Sequence, residues 1–225
     1  MSARLLLVFA FAGMAFAGDP LSDVFARMDQ EAKSFKGLTA DINDSVYTAL
    51  IKDTSTETGI IKVKRPKPGD TRVLIEFREP AAKMVLIAGG EVKLYFPKAN
   101  LEQDYDVANR RNLIDQALLL GFGATSAELR ASYEVSYVGA ENISGQATSH
   151  IKLIPKSKEV LQQLKQAELW ISDALSVPVQ QKFQTSAAGD YRLVTYSNIK
   201  LNPSLSDKDM RLNPAKGVQI QKMGK

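Results

Sequence analysis

The chain has 225 residues, 44% of them hydrophobic and 24% charged, with a formal charge of +4, one histidine and no cysteine. That composition can bury a full core without disulfides, and it excludes metal centres built from thiolates or from several histidines. Lysine and arginine are interspersed with Asp and Glu and are not clustered with aromatic residues, which excludes a nucleic-acid-binding stripe.

Residues 1–17 begin with Arg4, continue as an apolar run too short to span a bilayer, and end in Ala15-Phe16-Ala17. This is the pattern of a secretory signal peptide removed before Gly18. The expected mature chain is residues 18–225, one soluble domain in a bacterial periplasm. Its first element is predicted to be a helix, because Leu21, Val24, Phe25, Met28, Ala32 and Phe35 recur at helical spacing. Asp19 or Ser22 would cap it and Gly37 would stop it.

From residue 38 the apolar period becomes two. "LTADINDSVYTAL", "TGIIKVKRP", "TRVLIEFREP", "KMVLIAGGEVKLYFP" and "EQDYDV" read as strands, with a tight hairpin at Gly89-Gly90. A helical stretch, "NRRNLIDQALLLGFGATSAEL" at 109–129, interrupts them. Within it Leu113, Ile114, Ala117, Leu118 and Gly121 share one face, and Leu119, Leu120 and Phe122 widen the apolar arc beyond a surface helix's usual stripe. Gly121 and Gly123 either cap this helix or hinge it. Strands then resume with "SYEVSYVG", "ATSHIKLIP", "AELWIS", "VPVQQKFQTS" and "DYRLVTYSNIKL", with a second hairpin at residues 187–190. About ten strands with connections too short for parallel crossovers predict an α+β fold, mainly antiparallel β, curled like a barrel around a core.

Reactive groups are few. His150 lies in an alternating strand and reads as a surface or packing residue, and Ser149 beside it must point to the opposite face. Glu102, Asp104 and Asp106 lack the glycine turn and terminal Glu of a calcium loop and read as a solvated strand face. "GFGATSAE" lacks the Lys-Ser/Thr of a phosphate-binding loop. No catalytic residue, metal or cofactor is expected.

Two strands instead supply a surface. Ile61, Val63 and Arg65 share one face of the first, and Val73, Ile75 and Phe77 share one face of the next, opposite Arg72, Leu74, Glu76 and Arg78. The result is five apolar side chains with an arginine at their edge. Taken by itself, that pattern describes a sheet core with a rim arginine.

The ordered set "SFKGLTADI", "TGIIKVKRP", "RVLIEFREP", a Gly-Gly hairpin, "KLYFPK", "AELWIS", "LSVPVQQ" and "YSNIKLNPSLSDKDMRLNPAKGVQI" resembles the outer-membrane lipoprotein carrier family (LolA-type) over almost the whole mature chain. The resemblance implies an incomplete, unclosed β-barrel whose apolar cavity is covered by short lid helices and holds acyl chains. It implies that Arg65 hydrogen-bonds to the lid and favours the closed, empty state. Ile61, Val63, Val73, Ile75, Phe77, Leu118, Leu119 and Phe122 would then bind the chains. Implied partners are acylated lipoproteins or lipids, an ATP-driven lipoprotein-releasing complex of the inner membrane and an outer-membrane acceptor, with the carrier a monomer. The chain departs from the family where Val73 and Ile75 stand in place of common aromatics, and where Met210 and Leu212 stand in place of phenylalanines. A sensor or scaffold of the same fold, binding a protein partner without lipid transfer, is the alternative reading.

Overall fold

The computed structural model describes residues 19–67, 70–108, 120–185 and 188–223. Helix α1 (Pro20–Ser34) begins where the Asp19 side chain accepts from the Leu21 N–H and Pro20 pre-sets the first turn. Its Leu21, Val24, Phe25 and Met28 are buried. After it come β1 (Gly37–Thr48), β2 (Asp53–Lys67), β3 (Asp70–Glu79), β4 (Lys83–Ala88), β5 (Glu91–Phe96) and β6 (Leu101–Asp106). Helix α2 (Ser126–Ser132), β7 (Tyr133–Ile143), β8 (Gln146–Pro155), α3 (Lys158–Gln163), β9 (Gln166–Ser172), β10 (Pro178–Gln184), β11 (Tyr191–Leu201) and β12 (Gln219–Met223) complete the order.

All twelve strands form one sheet in the order β12-β6-β5-β4-β3-β2-β1-β11-β10-β9-β8-β7. The sheet does not close, since β12 and β7 stand at its two ends. One buried cluster nevertheless includes Val63 and Val73 at one side and Ile151 and Leu153 at the other, together with the apolar face of α1. Strands lie about 4.8 Å apart, so a flat sheet would hold β3 and β8 roughly 29 Å from each other. Curling brings them around one core. The expected α+β, mainly antiparallel, unclosed barrel is the architecture observed.

Three features differ from the sequence expectation. First, β12 pairs with β6 in parallel. The chain leaves β11 in the middle of the sheet, crosses the outer face through residues 202–218 and arrives at the edge running with β6. Its strand escaped notice because every residue of β12 is exposed and no alternation marks it.

Second, that crossing covers part of the outer face. A 3₁₀ turn at Lys208–Met210 packs on β3, burying Met210 and Leu74 on the side that pattern alone assigns to solvent. Glu102 is 6% exposed, and Lys93 reaches both it and Asp104, so the predicted solvated acidic face is a partly buried ion-pair cluster.

Third, residues 120–124 are not helical. Gly121 and Gly123 have φ of +87° and +61°, and a separate helix, α2, starts beyond them with Thr125 and Glu128 in a reciprocal capping box. Phe122 therefore belongs to an irregular segment and not to a continuous helical arc through 129. The predicted signal peptide and Leu113, Ile114, Ala117, Leu118 and Leu119 lie outside the described residues.

Candidate functional site

The concave wall follows from register. Leu38 of β1 faces Val63, which faces Val73, which faces Ile87 of β4; one step along, Ala40, Ile61, Ile75 and Val85 make the next row. Ile61, Val63, Val73, Ile75 and Phe77 are each at most 5% exposed. The structure thus places these five predicted residues side by side on the inner face. Arg65 continues the row of Ile61 and Val63 at the end of β2.

The wall is covered by α1 and by the segment 120–124. Leu120 and Phe122 are buried, and the Phe122 ring meets Tyr196 edge-on at 5.0 Å. Backbone carbonyls fasten the segment from two sides. From β2, the Arg65 guanidinium donates to Gly123 O at 3.0 Å and to Phe122 O at 3.4 Å. From β10, the Gln181 amide donates to Leu120 O, and Tyr196 in turn donates to Gln181 Oε1 at 2.7 Å. Burial raises the ionisation point of the Tyr196 phenol, which keeps it a hydrogen-bond donor.

The two glycines are required by space as well as by φ. A Cβ at Gly123 would stand 2.4 Å from the Phe35 ring, and one at Gly121 would stand 2.7 Å from Pro178. Arg65 also lies over the Phe35 ring, 5.1 Å from its centroid. Asp29 of α1 receives the Ser126 N–H and hydroxyl, each at 2.6 Å, which ties the far end of the segment to α1. Gln181 and Tyr196 escaped the sequence reading because "VPVQQKF" and "RLVTYSN" look like ordinary alternating strands. The one available signal was a glutamine on an otherwise apolar inward face.

A small space of about 20 Å³ lies on the wall among Ile61, Ile75, Gln181, Phe183, Arg192 and Tyr196. Outside the seal, a groove of about 710 Å³ runs between α1, the end of β2 and α2. Arg65, Phe122 and Gly123 line it, so the same three residues form the inner stopper and the groove's wall.

His150 is buried on the outer face, stacked on Trp170 at 4.2 Å, with Glu141 at 2.7 Å and Glu168 at 3.0 Å from its ring nitrogens. Ser149 points the other way and bonds Asp173. Among the described residues no three His, Asp or Glu side chains are grouped to hold a metal. No described helix is long and apolar enough to cross a membrane.

No family model and no curated protein matches the sequence. Solved structures do match. An uncharacterized conserved protein from Thermus thermophilus superposes with a TM-score of 0.55 at 12% identity, over 91% of this chain and 100% of that one. MucB superposes with a TM-score of 0.54 at 13% identity, over 85% of this chain and 62% of its own. The chain therefore spans about three-fifths of MucB's length, and it also matches MucB in complex with MucA(peri), at a TM-score of 0.50. A LolA superfamily protein, NE2245 from Nitrosomonas europaea, matches more loosely, with a TM-score of 0.41 at 12% identity over 85% of this chain and 97% of that one. At 12–13% identity the superpositions on the Thermus protein and on MucB show a shared fold and nothing further.

Proposed function

We propose that the protein is a periplasmic carrier, not an enzyme, that binds the acyl chains of lipoproteins or other lipids on its concave wall and moves them from the inner to the outer membrane. The support is the stopper. An apolar wall of Ile61, Val63, Val73, Ile75 and Phe77 is sealed by a segment held to β2 and β10 through side-chain bonds to its carbonyls. Such bonds can exchange with water when the segment swings out, because each is worth only about 1–3 kcal/mol. On this reading Leu118, Leu119 and Phe122 bind the acyl chains, and Arg65 sets the cost of opening.

Magnitudes define the task. Burying an acyl chain of about sixteen carbons gains on the order of 13 kcal/mol relative to water, at roughly 0.8 kcal/mol per methylene. A bilayer offers the same gain. Loading therefore needs an energised donor at the inner membrane, and release needs a tighter acceptor at the outer one.

A second reading has its own support. MucB shares the fold and was crystallised with MucA(peri). A protein-binding module that never opens would look the same.

Native mass spectrometry with lipid extraction on the periplasmic protein separates the two, followed by titration with a fluorescent fatty acid. A carrier shows bound lipid displaced by the probe. Arg65→Ala should then bind the probe about tenfold more tightly, since losing about 1.4 kcal/mol of closure is tenfold in affinity. A clean apo mass with no probe binding in either protein would overturn the carrier reading and leave the partner-binding one.

A further inference from the structure

The groove outside the stopper has an asymmetric lining. Its floor is apolar, formed by Phe35, Leu120, Phe122, Leu129 and Tyr133, all buried. Its rim carries Lys33, Lys36 and Lys67, all exposed. Among the described lining residues the acidic one is Glu128, and its carboxylate is taken up by the Thr125 N–H at 2.8 Å and the Thr125 hydroxyl at 2.9 Å.

Four lysines whose side chains stand on the strands of this half of the sheet are matched by carboxylates. Lys62 pairs with Glu76, Lys64 with Asp207, Lys83 with Glu57, and Lys93 with Glu102 and Asp104. On the groove rim, Lys33 meets only the Gln30 amide, and Lys36 and Lys67 have no carboxylate partner among the described residues. A volume of about 710 Å³ lies within the range of small-molecule sites.

We propose that this groove receives the headgroup end of an anionic amphiphile, an acyl chain ending in a phosphate or carboxylate. The inference rests on the carrier reading and narrows its cargo. The apolar floor solvates the first methylenes and the rim lysines meet the anion. Behind the floor, the Arg65-held stopper is the door to the concave wall, so the chain would pass inward while the charge stays at the rim. Charge complementarity favours this occupant over a neutral lipid, which would leave the lysines without a partner. A protein partner would have to bury far more surface than the groove offers.

The test is calorimetric titration of the mature protein, at low and high salt, with dodecyl phosphate and dodecyl maltoside below their micelle concentrations and with inorganic phosphate. The variant is Lys36→Glu/Lys67→Glu, with an unchanged urea midpoint as the folding control. Dodecyl phosphate should bind the wild type at least tenfold more tightly than the variant, with an affinity that falls as salt rises. Dodecyl maltoside should bind both weakly and equally, and inorganic phosphate should bind neither. Equal binding of both amphiphiles, unmoved by charge reversal, overturns this inference and leaves the carrier reading standing. Failure of both amphiphiles to bind removes the carrier reading with it. Inorganic phosphate binding as tightly as dodecyl phosphate would reduce the groove to a bare anion site and also overturn the proposal.

Discussion

The two ends of the concave wall are closed in different ways. At the far end the closure is ionic and lies within the sheet itself. Arg192 of β11 embraces Asp44 of β1 through two hydrogen bonds, and Lys83 of β4 holds both carboxylate oxygens of Glu57 on β2 while sitting 4.6 Å over the Phe77 ring. At the groove end the cation is Arg65, and what it holds is a pair of carbonyls on an irregular segment. A charge pair left half-broken inside a protein costs several kcal/mol, whereas a carbonyl bond exchanged for water costs little. On the carrier reading proposed above, the first end stays shut and the second is the one that opens.

Removing the stopper's ring should break this contrast most severely. Phe122→Ala deletes a side chain that is 1% exposed and should lower stability by about 3–5 kcal/mol, read from urea unfolding. The cavity it leaves adjoins the groove, so the surviving folded fraction should also take up an acyl probe faster. Destabilisation without faster uptake would make Phe122 an ordinary core residue. At the opposite end, Arg192→Leu strands the Asp44 carboxylate, which is 5% exposed, and should cost about 3 kcal/mol, near the lower bound for a broken buried pair because Arg192 itself is 40% exposed. Here probe affinity should not change, and a gain in affinity would place an opening at this end too.

Gly123→Ala is a finer probe of the groove end. The new methyl would stand 2.4 Å from the Phe35 ring and 2.9 Å from the Arg65 guanidinium, on a backbone at φ +61°. Relief requires the segment to move away from β2. The left-handed backbone alone costs about 1–2 kcal/mol for a residue with a side chain. The expected outcome is a modest loss of stability with an increase in probe affinity, whereas Arg192→Leu loses stability with affinity unchanged. A loss of both would show that the segment must dock correctly for the wall to bind anything.

Strand positions and the five inward residues of β2 and β3 were legible because alternation with one buried face is a strong local signal. The neighbouring arginine was legible as a rim residue, and only resemblance supplied a partner for it. What could not be read was set by distant packing. Leu74 and Glu102 are buried because residues 202–218 return across the outer face, which no local pattern announces. The break between residue 120 and α2 was half visible: Gly121 and Gly123 marked it, but the leucine run before them invited a helix drawn through to residue 129. Gln181 stood out only as a polar residue on an apolar face, and its partner could not be read because that carbonyl is 61 residues away in sequence.

The smallest expected effect is on the outer face of β7–β9, away from the stopper. There the Glu141 carboxylate of the edge strand β7 accepts from the Trp170 indole at 2.8 Å and meets His150 at 2.7 Å, which holds its ionisation below the usual carboxylate range. A carboxyl whose folded value is depressed stabilises fully above its unfolded value, about pH 4.3, and loses that contribution as pH falls through the folded value. Wild type should therefore exceed Glu141→Gln in unfolding midpoint by a constant margin from about pH 6 to pH 5, and the margin should shrink toward about pH 3. Because the Glu141 side chain is 43% exposed, solvent screening keeps the margin within about 1 kcal/mol. Acyl-probe affinity should be the same in both proteins, since β7 fastens the sheet edge and plays no part in the stopper. A margin that stays flat to pH 3 would mean that the indole and imidazole contacts do not favour the charged carboxylate, and that β7 is held by its backbone ladder to β8 alone.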